Sequence, residues 1–63
     1  MNLAEAKKEF KKGKKITHKL FFDDEFIVLV GGKMKDEGGI TLDGEYFWNE
    51  RQSIEWQYNW ELF

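Results

Sequence analysis

The sequence predicts an α+β domain, with an N-terminal helix packed on a small antiparallel sheet of about five strands. Three observations carry that prediction. Leu3, Ala6 and Phe10 recur at helical spacing near the start. Short β-branched and aromatic runs, punctuated by Gly31-Gly32, Gly38-Gly39 and Asp43-Gly44, fill most of residues 15–63. Ile54, Trp56, Tyr58, Trp60 and Leu62 alternate with polar residues, the period of a strand with one wet and one dry face.

The helix is expected over residues 3–12. Asn2 is its cap, with Glu5 three residues on completing a capping box, and Gly13 occupies the position that favours a left-handed backbone. Lys11 and Lys12 complement the negative end of the helix dipole. Ile16, His18 and Leu20 then alternate with Thr17 and Lys19 as a first strand. The run Glu25–Val30, β-branched and aromatic and continuous rather than alternating, reads as a central strand covered on both sides. Gly31-Gly32 turns the chain into a charged edge strand, Lys33-Met34-Lys35. Asp43-Gly44 between residues 40–42 and 45–48 is a hairpin signal. Residues 49–53 form a polar connector with a helical turn reaching Trp56, before a last strand closes the sheet.

A chain of 63 residues forms one domain and hides only about 60% of its unfolded surface, so a staple is expected. Disulfides are excluded by the absence of cysteine, and structural zinc by the lack of thiolates and a single histidine. Oligomerisation is the remaining device, and a homo-oligomer is expected. No apolar run is long enough for a membrane span and no signal-peptide core opens the chain, which makes the cytoplasm the simplest address. The net charge of −2 conceals a polarity: residues 7–19 hold seven lysines against one acid, whereas residues 36–63 hold seven acids against Arg51. Duplex DNA is therefore not an expected partner.

Catalytic constellations are lacking. His18 stands alone, Ser53 has no glycine elbow, and the acidic pairs Asp23-Asp24 and Asp36-Glu37 do not follow a calcium-loop pattern. The glycine pairs do not lead into a phosphate-binding helix. The chain reads as a binder that needs no cofactor or metal, not as an enzyme. More aromatic side chains are present than one short helix can cover, so some face a sister subunit or a ligand. Aromatic planes beside cations and amides suit a nucleobase with its phosphates. The candidate ligand-binding set is Phe22, Trp48 and Trp56 for stacking, Lys14 and Arg51 for charge, and Asn59 for an amide edge.

The pattern Leu3-x-x-Ala6-x-x-x-Phe10-x-x-Gly13-Lys14-x-Ile16, the aromatics Phe21-Phe22, Asp43-Gly44, Trp48 and the closing Asn59-Trp60-Glu61-Leu62 together resemble a phage family, the second type of Thoeris anti-defence proteins. The resemblance implies a helix over an antiparallel sheet, assembly into oligomers, and non-hydrolytic sequestration of a cyclic nucleotide immune signal in pockets between subunits, inside the infected bacterium. The chain departs from the family in its short middle segment, in His18 where members often carry Arg, and in Asn59 where they carry Asp. The alternative reading is a small phage inhibitor that docks on a host defence protein such as a nuclease, with Trp48, Tyr58 and Trp60 as anchors. Single-stranded nucleic acid on the sheet aromatics is a third, disfavoured by net charge.

Overall fold

The computed structural model describes residues 1–63. The elements run α1 (Leu3–Lys11), β1 (Ile16–His18), β2 (Ile27–Val30), β3 (Lys33–Asp36), β4 (Thr41–Leu42), α2 (Gly44–Asn49), a 3-10 turn (Ile54–Trp56) and β5 (Trp60–Leu62). The strands make one antiparallel sheet in the order β4-β3-β2-β1-β5. The predicted fold class, a helix on a five-stranded antiparallel sheet, is the one observed.

α1 forms for the local reasons its residues supply. The Asn2 side chain accepts from Glu5 N–H at 2.8 Å while the Glu5 carboxylate accepts from Asn2 N–H at 2.9 Å, so the capping box is closed. Gly13 follows with φ 87°, a conformation that costs a side-chain-bearing residue far more than glycine. Leu3, Ala6 and Phe10 are buried on β1, β2 and β5. Burying a leucine or phenylalanine contributes roughly 1.5–3 kcal/mol each, more than the cap provides, so packing and not propensity holds α1 in place.

The Gly31-Gly32 turn is as predicted. Val30 pairs with Lys33 across it, and both glycines have positive φ, 58° and 77°, as a two-residue hairpin whose twist matches its strands requires. Other expectations are corrected. Lys33–Asp36 is not an edge, because β4 pairs along its outer side. β2 is central, yet it is covered on one face only: Ile27 is buried and Val30 is half exposed. β1 ends at His18, and Leu20 lies outside it and in solvent.

The largest corrections concern the last third of the chain. Asp43-Gly44 does not turn a hairpin, since Asp43 is the N-cap of α2 and its carboxylate accepts from Tyr46 N–H at 3.1 Å. The residues expected as a strand, 45–48, are thus helical, with Phe47 driven into the core. Residues 54–62 are not one strand either. Asn59 adopts φ 71°, a left-handed conformation that ends any extended run before Trp60. Of the five alternating residues only Trp60 is fully buried, while Ile54, Tyr58 and Leu62 are more than half exposed.

α1 and α2 lie on the same side of the sheet. Phe10 of α1 meets the Trp48 ring of α2 edge-on at 5.9 Å, and Gly44 lies against Met34 of β3. The core of Ile16, Ile27, Met34, Phe47 and Trp60 is sealed between these helices and the sheet. The other sheet face has no helix over it.

Candidate functional site

Trp60 sits at the centre of the aromatic side. Its indole N–H donates to the Trp56 carbonyl at 2.7 Å, and its ring lies 4.7 Å from His18, 5.5 Å from Trp48, 5.7 Å from Phe21 and 5.9 Å from Trp56. The i, i+4 spacing of Trp56 and Trp60, bridged by the 3-10 turn and the Asn59 kink, brings the two indoles together where a straight strand would have set them in a row. A fully buried Trp60 is no anchor for a partner protein. The expectation that it docks on a host surface is corrected.

His18 is buried and hydrogen-bonded through both ring nitrogens. Nδ1 accepts from the Leu20 N–H at 3.0 Å, which leaves Nε2 to carry the proton and donate to the Tyr58 carbonyl at 2.7 Å. The imidazole therefore ties the end of β1 to the segment before β5. Both nitrogens are occupied within the fold, so the ring has no free position for acid–base work.

Arg51 is half-buried, not exposed as its place in a polar connector suggests. Its guanidinium carbon lies 3.8 Å from the Phe47 ring centroid, 5.0 Å from that of Trp56 and 6.0 Å from that of Phe21. Nη1 donates to the Phe47 carbonyl at 3.1 Å, one of the carbonyls left over at the end of α2, and Nε–H is sealed from solvent without an acceptor. Burial among the rings pushes the guanidinium below its ordinary pKa, with Glu25 and Glu50 acting the other way. This is a cation that holds α2 against the aromatic cluster. Arg51→Ala is expected to lower unfolding free energy by about 1–2 kcal/mol through lost ring contact and helix-end bonding. Arg51→Lys should restore only part, since an ammonium lacks the planar fork. Urea denaturation of the three proteins checks the order.

Trp48, Arg51 and Trp56 gather as half-buried packing partners around Phe47 and Trp60. The other three candidates lie apart from them. Phe22 is 81% exposed on the rim of a shallow notch of about 210 Å³ that it shares with Thr17, Lys19 and Glu61. Asn59 borders an open recess of about 430 Å³ beside Met1, Glu5 and Glu61. Lys14 stands in solvent after α1 and lines neither.

Ligand pockets usually enclose some 300–1,000 Å³. The Phe22 notch is smaller than that, and the Asn59 recess carries two carboxylates that would repel a phosphate. No group of three or more His, Asp or Glu side chains is placed to hold a metal ion, and no helix is long and apolar enough to cross a membrane. Sequence reasoning passed over Phe63, which meets Lys15 and Phe26 on the helix-free sheet face: the Lys15 ammonium is 4.8 Å from the Phe26 ring, and the Phe26 and Phe63 rings are 4.7 Å apart. The signal was present in the wet half of the strand alternation, Lys15-Thr17-Lys19 and Lys33-Lys35. No family model, curated protein or solved structure matches the chain.

Proposed function

We propose that the chain is a non-catalytic binding protein that assembles with copies of itself and sequesters a cyclic nucleotide immune signal, the role implied by its resemblance to the Thoeris anti-defence family. One observation supports the reading above others: as many large hydrophobic side chains lie more than half exposed as there are buried residues, nine of each. The total exposed surface, 4384 Å², is close to the roughly 4,300 Å² expected of a monomer of this mass. What is unusual is therefore the nature of that surface and not its extent. Phe22, Tyr46, Ile54 and Tyr58 are each at least 64% exposed. A second copy set against them would bury apolar area and deepen recesses that are too small or too acidic in one chain.

In this reading the ligand lies between subunits, with exposed rings such as Phe22 on the base and lysines on the phosphates. In this reading the ligand is held and not consumed. The test is release. Purified protein is incubated with cyclic ADP-ribose isomers and with cyclic dinucleotides, separated from free ligand, denatured, and its supernatant analysed by mass spectrometry. One intact nucleotide per site supports the proposal. Failure to retain any of them, or co-purification instead with one host polypeptide, contradicts it and favours the inhibitor reading.

A further inference from the structure

We propose that the helix-free face of the sheet binds single-stranded nucleic acid. An antiparallel sheet commonly leaves one face to water, and that face is then polar. Here it is not. Ile27 of β2 faces the core, so Phe26, Val28 and Val30 project from the other side and form an apolar ridge along the central strand. Lysines flank the ridge. Lys35 and Lys33 stand directly across from Val28 and Val30 on β3. On β1, Ile16 pairs with Ile27 inside, which puts Lys15 on the outer face beside Phe26.

The face also holds a stacking platform. Phe63 is 54% exposed and leans on Phe26 at an interplanar angle of 43°, with the Lys15 ammonium over the Phe26 ring. Rings that present a flat surface beside fixed positive charge are what a single strand needs, because every base has a π-face and every linkage a phosphate. The net charge of −2 is no obstacle, since the acids are segregated. Along the strands Glu61 and Glu37 stand against Lys15, Lys33 and Lys35, and beyond the end of β1 Asp23 shares a notch with Lys19 and Glu61; Glu37 already accepts from the Phe26 N–H at 3.3 Å. A second copy is the wrong occupant, because stacking the face on itself would set lysines against lysines. The proposal is independent of the cyclic-nucleotide reading.

The probe is a fluorescein-labelled oligo(dT) or oligo(U) of about 12 nucleotides, within the span such surfaces cover. Anisotropy at low salt should show binding that weakens as salt rises, with a log–log slope of about −2 to −3 for three or four lysine–phosphate contacts. Phe63→Ala, an exposed position, should weaken binding about tenfold with an unchanged circular dichroism spectrum. Lys33→Ala should reduce the slope by about 0.7. No binding at low salt would overturn the proposal, as would binding indifferent to both substitutions. Equal affinity for poly-glutamate would overturn it too, since the face would then take any polyanion. A fall in assembly mass on Phe63→Ala would assign the face to subunit contact instead.

Discussion

Trp60→Ala removes half or more of the stability of the fold at the middle of its expected range. Removing a fully buried tryptophan costs about 3–5 kcal/mol, and a domain of this length has a total stability of roughly 3–9 kcal/mol. The loss reaches well beyond one side chain, because four other aromatic rings rest on the indole: His18, Phe21, Trp48 and Trp56. Trp60→Phe separates shape from hydrogen bonding. It keeps a ring in the core but takes away the donor to the Trp56 carbonyl, and the expected loss is smaller, about 1–3 kcal/mol. Urea unfolding followed by circular dichroism distinguishes the two, and equal losses would mean that the hydrogen bond, not the volume, matters at this position.

His18→Leu is the second large effect. Leucine fits an apolar site of similar size, so a simple core position would tolerate it well. The structure gives a different expectation, because the imidazole satisfies the Leu20 N–H and the Tyr58 carbonyl at once. Losing both partners leaves two part-buried backbone groups short of a bond, at about 1–3 kcal/mol each where water cannot replace the imidazole, partly offset by leucine's own burial. A net loss of about 2–4 kcal/mol is expected. Hydrogen exchange adds a local check, since the Leu20 amide should lose protection before the amides of β2 and β3 do. A leucine variant as stable as the parent would show that the histidine is replaceable packing.

The elements that were legible in the sequence are those set by neighbours in the chain. Asn2, Glu5 and Gly13 specify the ends of α1 by bonds and backbone angles within a few residues, and Gly31-Gly32 specifies its turn in the same way. Asp43-Gly44 was misleading because aspartate followed by glycine serves two structures. It turns a hairpin when both residues take positive φ, and it caps a helix when the carboxylate reaches the amide three residues on, as it does here to Tyr46. Aromatic alternation over residues 54–62 failed for a tertiary reason. Trp56 and Trp60 converge only because Asn59 accepts a left-handed backbone, which asparagine tolerates better than most residues.

The candidate site was less legible than the fold. Trp48, Arg51 and Trp56 do come together, but burial decides what a ring or a cation does, and burial depends on where α2 lies. Arg51 looks solvent-exposed between Glu50 and Gln52 and is instead laid over Phe47. The lysines of the helix-free face were visible as a run in the first third of the chain and as Lys33 and Lys35 in the middle. That they share one surface follows only from the strand order, which places β1 and β3 on either side of β2.

The proposed assembly of copies is the point from which the binding role follows. Size-exclusion chromatography with light scattering at micromolar concentration reads it directly against the 7.6 kDa chain mass. A stable mass at a whole multiple of that value, dimer or higher, is predicted. A single species at 7.6 kDa that persists on concentration would show that a lone molecule leaves its rings in water, and the intersubunit pocket would be contradicted.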